Sequence, residues 1–461
     1  MIFSHWRGAM LIRFSVENYK SFRDRVEFSM VSSKVRSHPS HVVKATSAND
    51  ISVLKVGVIY GANASGKSNI IKAMKHAQNM ILKGSKAGTN LPYAPFRLDD
   101  DFEKKPSRFE FEIKINGKNY AYGFSADQKS IKEEWLYEIN KKDDILIYER
   151  SNTTHFKFEN IKFKNEEDEQ FLNFTARGTS ENSLFLYECF DRNVLKDLNY
   201  IVPISDVFKW FKAKLQIVFP NSKYRDLDFG SASDEKEGEL ITDILKDFDT
   251  GVSKLVLRKV SSFDDIKLPP NFKDQIIEDL KSSKAVVISG PRNKRYKVEL
   301  GEDGEITVFQ LMTAHKDKNG DDVYFELNQE SDGTQRLFDI IPGLVELMLK
   351  DKVYIIDEID RSLHPKITKT FMKLFSMKTV GKDSQLIVTT HETGLLDFEL
   401  IRRDEVWFTE KNKSGISRIY SLEEFQPRFD KDIRKGYLVG RFGGIPKIKN
   451  ILSNVEDFQK D

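Results

Sequence analysis

At residues 61–68 the chain reads Gly61-Ala-Asn-Ala-Ser-Gly-Lys67-Ser68, which matches the phosphate-binding loop pattern of Gly, four residues, Gly-Lys and Ser or Thr. Residues 53–60, just before this phosphate loop, are rich in β-branched side chains, as in a buried strand. Apolar residues then recur at helical spacing: Ile70, Met74, Ala77 and Ile81. The sequence therefore predicts a strand, a glycine-containing loop and a helix over residues 53–83.

The phosphate loop has the composition that a nucleotide site needs. Small residues let successive backbone N–H groups wrap the phosphates, and the following helix points its positive end at them. We expect Lys67 to reach the β- and γ-phosphates and the Ser68 hydroxyl to bind Mg²⁺. The residues predicted to bind ATP or GTP here are Gly61, Asn63, Ser65, Gly66, Lys67, Ser68 and Asn69.

A second motif, Val353-Tyr-Ile-Ile-Asp357-Glu358, is an apolar run that ends in two carboxylates. At the carboxyl end of a strand in an open α/β sheet, such side chains face the ligand crevice. We expect Asp357 to hold Mg²⁺, directly or through water. Glu358 is the predicted general base, because its carboxylate can polarise the water that attacks the γ-phosphate.

The two motifs lie far apart in the chain, which predicts that a region of domain size is inserted between them. We predict an α/β fold in which a mixed-sheet lobe carries the phosphate loop and an antiparallel β-rich lobe accompanies it. The predicted divisions are an N-terminal ATPase lobe at residues 10–190, an inserted helical and β region at 191–320, and a C-terminal ATPase lobe at 321–450. The inserted region is a candidate oligomerisation or partner-binding element.

Local patterns predict further elements within these divisions. Strict alternation over residues 109–115, the turn signal Asn116-Gly117 and the returning run 120–124 predict a β-hairpin. Helical spacing predicts amphipathic helices at residues 207–215 and 240–248. Strands are expected again over residues 286–328.

The composition is that of an ordinary folded protein. The chain has 461 residues, of which 39% are hydrophobic and 31% charged, and its net charge is +2. A protein that binds DNA through bulk charge should be more basic, so the charge gives no reason to expect DNA binding. Cys189 is the single cysteine, which excludes an intrachain disulfide and a zinc site built from cysteines.

The sequence has no apolar run long enough to span a bilayer, so we expect no membrane association and a cytoplasmic location. Residues 1–9 are too short and polar for a secretion signal. They are interpreted either as a dispensable extension or as an ordinary ordered tail.

The pentapeptide Ser331-Asp-Gly-Thr-Gln335 resembles the signature of ATP-binding cassette ATPases, whose core is Ser-Gly-Gly-Gln. The resemblance implies that Ser331, Gly333 and Gln335 bind the nucleotide of a second copy in a head-to-tail dimer. The Ser331 hydroxyl, the Gly333 N–H and a helix N-terminus would form this second anion site. Asp332 departs from the pattern, because it places an anion where the family has Gly. A plain helix cap at Ser331 is the alternative interpretation.

The motifs after the acid pair follow the order of the same family. Asp360-Arg-Ser-Leu-His-Pro365 resembles the D-loop joined to the Leu-His-Pro of the RecF/SMC/OLD-like branch. We interpret His364 as structural, tying the D-loop to the sheet. Leu386-Ile-Val-Thr-Thr-His391 is a strand that ends at the switch position. The resemblance implies that His391 contacts the γ-phosphate and takes part in catalysis.

Near the N-terminus, Val16-Glu-Asn-Tyr-Lys-Ser-Phe22 resembles the strand and loop of SMC-like ATPases. In that group a basic residue after the Asn-aromatic pair approaches the nucleotide. The resemblance makes Lys20 and Ser21 candidate nucleotide ligands, with a surface lysine as the alternative for Lys20. The sequence does not place the Q-loop.

Over residues 10–450 the chain resembles the AAA/ABC-hybrid ATPases of prokaryotic abortive-infection operons. Motifs that carry this resemblance include Tyr93-Ala-Pro-Phe96, Thr390-His-Glu-Thr-Gly-Leu-Leu396 and the segment 437–446. The resemblance implies that the chain uses ATP and Mg²⁺ and forms homo-oligomers beyond the dimer. It also implies that the chain holds a TOPRIM-type nuclease toxin inactive and releases it on sensing a phage protein. Too few residues follow His391 for a nuclease domain, so we expect the effector to be a separate chain.

The main alternative is an ATP-gated DNA-binding repair ATPase of the RecF or SMC-like kind. Arg292-Asn-Lys-Arg-Tyr-Lys297 is the best basic segment for that role, although a solvated hairpin is its simpler interpretation. A transporter subunit is disfavoured by the inserted region. An OLD-like nuclease is disfavoured because residues 421–461 lack a patterned cluster of metal-binding acids.

Overall fold

The computed structural model describes residues 8–192, 194, 201–222, 234–260, 263–266, 268–282, 285–290, 294–301, 304–426 and 432–446. Its helices are α1 (Lys67–Lys83), α2 (Asp100–Glu103), α3 (Glu166–Arg177), α4 (Phe185–Asp191), α5 (Val202–Lys209), α6 (Asp234–Asp247), α7 (Pro270–Ser282), α8 (Asp332–Leu349), α9 (Pro365–Lys378) and α10 (Ile433–Leu438). Its strands are β1 (Met10–Glu17), β2 (Val26–Ser29), β3 (Val42–Val43), β4 (Val53–Leu54), β5 (Val56–Gly61), β6 (Ser107–Ile115), β7 (Lys118–Ala126), β8 (Ile131–Ile139), β9 (Ile145–Ser151), β10 (His155–Phe158), β11 (Leu215–Val218), β12 (Lys254–Lys259), β13 (Ala285–Ser289), β14 (Arg295–Leu300), β15 (Ile306–Lys316), β16 (Asp322–Glu326), β17 (Val353–Ile356), β18 (Gln385–Thr389), β19 (Val406–Lys411) and β20 (Ser417–Ser421).

Contacts among the described residues group the chain into two compact units. The first unit comprises Met1–Val218, Asp351–Ile359 and Ser376–Asp461, and the second comprises Phe219–Lys350 and Asp360–Phe375. The signature segment and the segment after the acid pair, both assigned from sequence to the C-terminal lobe, thus group with residues 219–320 of the inserted region in the second unit. Residues 191–218 of that region group with the first unit instead.

The first unit contains an antiparallel sheet in the order β10-β9-β8-β7-β6-β1-β2. The predicted hairpin is its β6–β7 pair, in which Phe109 lies opposite Phe124. Asn116 and Gly117 both have positive φ, 53° and 77°, as the tight turn between twisted strands requires. The expected antiparallel β-rich lobe is therefore confirmed.

The first unit also contains a mixed sheet in the order β11-β17-β18-β5-β19-β20. All its neighbouring strands run parallel except the β19–β20 hairpin, which is antiparallel. The carboxyl ends of the parallel strands therefore meet at one edge. β5 ends in the phosphate loop and β17 ends at the acid pair, so the predicted α/β class and the mixed-sheet lobe are confirmed.

Helix α1 joins the two sheets of the first unit, because it contacts β1 and β6 of one and β5 of the other. Its predicted apolar face is fully buried, and each large aliphatic side chain contributes roughly 1.5–3 kcal/mol to folding. The residues of that face are Ile70, Met74, Ala77 and Ile81. The packing fixes the helix N-terminus, and with it the phosphate loop, against the sheet edge.

The helix predicted over residues 207–215 is only partly correct. α5 ends at Lys209, a π-helix spans Trp210–Lys214, and the chain then enters β11 beside β17. Trp210 and Leu215 are both buried. Apolar spacing over so few residues does not reveal where helix changes to strand, because periodicity alone separates the two elements poorly in a short segment.

The second unit contains a sheet in the order β12-β15-β14-β13, with β16 also pairing with β15. One of its apolar clusters joins α7 to β14 and β15 through Ile276, Leu280, Val298 and Val308. Among the described residues, no helix has the length and apolarity that crossing a membrane requires.

Candidate nucleotide-binding site

The two glycines of the phosphate loop occupy positions where backbone conformation or close packing disfavours a side chain. Gly66 has a φ of 122°, which residues with side chains rarely adopt, and a Cβ there would lie 2.7 Å from Ser417 Oγ. A Cβ at Gly61 would clash with Thr409 Oγ1. The Lys67 ammonium is buried and donates to the Gly61 carbonyl over 2.7 Å. The loop therefore curls around its own lysine at the end of β5.

Ser68 and Asp357, the two residues predicted to share Mg²⁺, lie side by side. The Ser68 hydroxyl donates to Asp357 Oδ1 over 3.2 Å, and Asp357 is 2% exposed. Mg²⁺ takes few protein ligands and completes its coordination shell with water and substrate phosphates. Two oxygen donors from the protein are therefore enough to hold it. The described residues contain no larger cluster of metal-binding side chains. This pair is thus the arrangement that a phosphate-bound Mg²⁺ needs.

Thr389, at the end of β18, positions both acidic residues. Its hydroxyl donates to Asp357 Oδ1 over 2.6 Å and accepts the Glu358 backbone N–H over 2.8 Å. Glu358 has a φ of 49°, a left-handed conformation that costs a non-glycine residue about 1–2 kcal/mol. The Ile359 N–H, which donates to the Thr389 carbonyl, helps to hold this turn. The strained turn places the half-buried Glu358 at the carboxyl edge of the sheet.

His391 lies two residues beyond β18 and is exposed at the same edge. β18 pairs with β17 on one side and with β5 on the other. The first unit therefore brings the phosphate loop, the acid pair and His391 to adjacent strand ends, as the sequence predicted.

Ser65 and Asn63 contribute to the phosphate loop in different ways. The Ser65 hydroxyl is buried 2.6 Å from Thr409 Oγ1, so its side chain faces the β19–β20 hairpin. Asn63 is exposed at the tip of the loop. Asn69, in the first turn of α1, donates from Nδ2 to Ser21 Oγ over 2.8 Å.

A cavity of about 840 Å³ opens beside the first turn of α1. Its lining includes the predicted ligands Lys20, Ser21 and Asn69, together with Tyr93 and Leu98. Lys20 is exposed in a left-handed conformation, with a φ of 52°, and its backbone N–H donates to the Ala94 carbonyl over 2.8 Å. The cavity offers cationic, aromatic and aliphatic groups next to the phosphate loop.

Asn18 holds the wall of this cavity in place. It is 1% exposed, and its Oδ1 accepts the Phe96 N–H over 3.0 Å. Its Nδ2 donates to the carbonyls of Phe102 and Lys105 over 2.7 and 2.6 Å. The buried amide of Asn18, which directly follows β1, thus holds both ends of segment 96–105, the segment that contains Leu98.

Tyr19 and His76 form an apolar floor below Lys20. Their rings lie 5.1 Å apart, and the Lys20 ammonium lies 5.7 Å from the Tyr19 ring centroid. Burial, assisted by the Lys20 charge, lowers the pKa of His76 to about 4. His76 is therefore neutral at physiological pH and packs here as an aromatic side chain.

The signature residues lie in the second unit, where Ser331 caps α8. Its hydroxyl accepts the Thr334 N–H over 3.1 Å. Gln335 Nε2 donates to the Glu330 carbonyl over 2.9 Å. A Cβ at Gly333 would lie 2.9 Å from the Ser362 carbonyl oxygen, so this glycine also lets the D-loop approach the helix. The cap and the close approach are seen directly, and nucleotide binding by these three residues remains a prediction.

His364 is structural, as predicted, but it caps a helix and does not tie the D-loop to the sheet. The side chain is exposed, and its Nδ1 accepts the Lys366 N–H over 3.2 Å at the start of α9. It therefore caps a helix in the second unit, because a histidine that precedes the first turn can reach a backbone N–H left unpaired there.

Residues 294–297, the described part of the basic segment 292–297, belong to the β13–β14 hairpin as expected, but two of their cations are buried rather than solvated. Arg295 and Lys297 are each 2% exposed. Arg295 forms an ion pair with Asp339 of α8, and Lys297 forms one with Glu299. Both cations are paired with carboxylates within the second unit and are not exposed for contact with DNA phosphates. Arg292 lies outside the described residues.

Four residues of this site were not predicted from the sequence: Asn18, Thr389, Thr409 and Ser417. All are small polar residues buried by chain segments far away in sequence. Thr389 was visible as a hydroxyl at the end of a predicted strand, next to the switch histidine. Asn18 stood within the motif that suggested Lys20 and Ser21, and its burial could have been inferred from the apolar neighbours Val16 and Tyr19.

Comparison with known families identifies the chain. A family model described as "AAA domain, putative AbiEii toxin, Type IV TA system" matches residues 57–397, which is more than half of the chain. The chain belongs to this family. The matched AAA domain includes the phosphate loop, the signature segment, the acid pair and His391, so the expected AAA-type domain is confirmed at the level of the family. No protein with a curated description matches the chain.

Solved structures of SMC head domains are similar to this member of the AAA family. An SMC head bound to the C-winged helix domain of ScpA is 14% identical, with 90% of this chain and 99% of that chain covered and a TM-score of 0.39. The SMC head domain from Thermotoga maritima is 14% identical, with 89% and 98% covered and a TM-score of 0.33. An Smc head with an extended coiled coil, bound to the C-terminal domain of ScpA derived from Pyrococcus furiosus, is 14% identical, with 91% and 98% covered and a TM-score of 0.36.

Proposed function

We propose that the chain binds ATP with Mg²⁺ and hydrolyses it to ADP and phosphate. The observation that carries this proposal is the Ser68–Asp357 pair, because two distant motifs supply the two oxygens that P-loop enzymes use for Mg²⁺. The phosphate loop and Lys67 bind the β- and γ-phosphates. The adjacent cavity beside Asn69 takes the nucleoside.

The chemistry proposed for this site is in-line attack of water on the γ-phosphate. Glu358 orients and polarises that water, while His391 contacts the γ-phosphate at the neighbouring strand end. Mg²⁺, held by Ser68 and Asp357, would neutralise charge that develops on the phosphate oxygens. Thr389 holds Asp357 in position for Mg²⁺ and Glu358 in position for the attacking water.

The proposed active assembly is a head-to-tail dimer within a larger homo-oligomer. Ser331, Gly333 and Gln335 of one copy complete the site around the nucleotide of the other. The exposed position of Ser331 at the start of α8 supports this role, because a helix N-terminus favours anions.

Mixing two inactive variants tests the shared site. Lys67→Ala and Ser331→Ala chains should each be inactive, but a mixed dimer retains one site with both halves intact. Random pairing then restores about a quarter of wild-type turnover, because half of the dimers are mixed and each has one of two sites. The measurement is phosphate release from ATP.

A matched control is the mixture of Lys67→Ala with Glu358→Gln. Both changes fall on the same half of the site, so no mixed dimer has an intact site and turnover should stay at the level of the separate variants. Recovery in this control, or none in the test mixture, would refute the head-to-tail arrangement.

We further propose that the ATPase is the sensor and scaffold of an anti-phage abortive-infection system. Its family description links the AAA domain to a toxin–antitoxin system. Its motifs most resemble AriA, the ATPase of the PARIS phage-defence system. By that resemblance it holds an AriB-like TOPRIM nuclease inactive in the ATP-bound oligomer and releases it when a phage-encoded trigger protein binds.

Co-purification with the product of the adjacent gene tests this role. A stable complex with a TOPRIM nuclease in the presence of ATP, which dissociates when a trigger protein is added, is expected. If neighbouring genes encode no nuclease, or if the two chains never co-purify with ATP present, the sensor proposal fails while the ATPase proposal stands.

A further inference from the structure

The β19–β20 hairpin lies directly behind the phosphate loop. Ser417 and Thr409, one on each strand, are 1% and 0% exposed. The Ser417 hydroxyl donates to the Ser65 carbonyl over 2.7 Å, and its backbone N–H donates to the Ser21 carbonyl over 2.7 Å. Thr409 Oγ1 lies 2.6 Å from Ser65 Oγ. Two buried hydroxyls from one hairpin therefore contact the same loop residue.

The Ser417 hydroxyl lies within donating distance of two acceptors. It donates to the Ser65 carbonyl over 2.7 Å, and Ser21 Oγ lies 2.8 Å away as the second acceptor. Asn69 Nδ2 also donates to Ser21 Oγ. Ser21 thus links Asn69 to Ser417, and Ser417 contacts the phosphate loop at Ser65.

The hydrogen bond from Ser417 to the Ser65 carbonyl sets the orientation of one peptide group in the phosphate loop. In a trans peptide the carbonyl and the N–H point in opposite directions. Drawing the Ser65 carbonyl towards the hairpin therefore directs the Gly66 N–H away from the hairpin. That is the side on which phosphate oxygens must lie in this kind of loop.

We propose that Ser417 is a positioning residue for nucleotide binding: its hydroxyl fixes the Ser65–Gly66 peptide so that the Gly66 N–H is aimed at the phosphates before the nucleotide arrives. The inference rests on the proposed function and adds to it a residue of the C-terminal hairpin. Ser21 and Asn69 also line the cavity, so the residues that contact Ser417 connect the cavity wall to the phosphate loop.

Ser417→Ala removes the donor and leaves the Ser65–Gly66 peptide free to rotate. We expect the dissociation constants for Mg-ATP and for Mg-tripolyphosphate to rise by the same factor, about three- to tenfold, because the loss concerns a phosphate contact. Equilibrium titration of the full chain with each ligand measures this. Amide exchange at Gly66 in the nucleotide-free chain should become faster.

Ser421→Ala is the matched control. Ser421 lies on the same strand, is 9% exposed, and its hydroxyl accepts the Glu423 N–H outside the phosphate loop. This variant should lose thermal stability but bind both ligands as the wild type does. If Ser417→Ala proves unstable, Ser417→Cys keeps a side chain of similar shape with a weaker donor and should show a smaller change in the same direction.

Wild-type affinity in Ser417→Ala, or equal weakening in Ser421→Ala, would overturn the inference. Either result would leave the proposed function intact, since the wild-type chain would still bind ATP. Absence of ATP binding by the wild type would instead overturn the proposed function.

Discussion

Glu358→Gln should bind Mg-ATP with wild-type affinity and turn it over about 10²–10⁴ times more slowly, because it removes the general base. Glutamine preserves the shape of the side chain and the left-handed turn at this position, and the Thr389 hydroxyl still accepts the backbone N–H. Glu358→Gln should therefore slow the hydrolysis of ATP without changing the affinity for Mg-ATP. Single-turnover phosphate release, compared with nucleotide affinity, measures the two effects independently.

Glu149→Gln on β9 is a suitable control for the loss of a carboxylate. That residue lies in the antiparallel sheet, where it accepts the Tyr137 hydroxyl, and its substitution should leave turnover unchanged. Wild-type turnover in Glu358→Gln would move the general base to another residue.

Lys67→Ala should abolish ATP binding at every concentration used for the wild type. The Lys67 ammonium is buried against the Gly61 carbonyl, so it is preorganised at the phosphates and no nearby lysine of the loop can replace it. A charge-assisted contact to phosphate in a desolvated loop is among the strongest single contributions to nucleotide affinity. Equilibrium binding of fluorescent ATP measures the loss.

Lys83→Ala, in the last turn of the same helix, provides the comparison. It removes the same charge from α1 at the end remote from the phosphate loop. Its affinity for ATP should match the wild type. If Lys67→Ala and Lys83→Ala bind equally well, the phosphate-loop assignment is wrong.

The parts of the site that could be predicted from the sequence are formed by consecutive residues of the chain. The phosphate loop and Asp357-Glu358 follow strands whose apolar character is local, so their placement at strand ends followed from the sequence. Thr389, Thr409 and Ser417 have single hydroxyls whose roles depend on which strands become neighbours. The order β17-β18-β5-β19 decides that, and no local pattern encodes it.

Charge was the least reliable guide. Arg295 and Lys297 stand in the most basic segment of the sequence, yet both are buried in ion pairs. Glu299 lies two residues from Lys297 on the same face of one strand, but Asp339 comes from the distant helix α8, so the sequence does not reveal the Arg295 partner. A basic segment in a strand with a buried face can therefore be structural, and the DNA-binding alternative loses its best support.

Phosphate release from ATP by the purified wild type shows most directly whether the chain is a Mg²⁺-dependent ATPase. We expect steady release that requires Mg²⁺ and that falls to near background in Glu358→Gln. Release that is absent from the wild type, or equal in wild type and Glu358→Gln, would contradict the proposed ATPase activity.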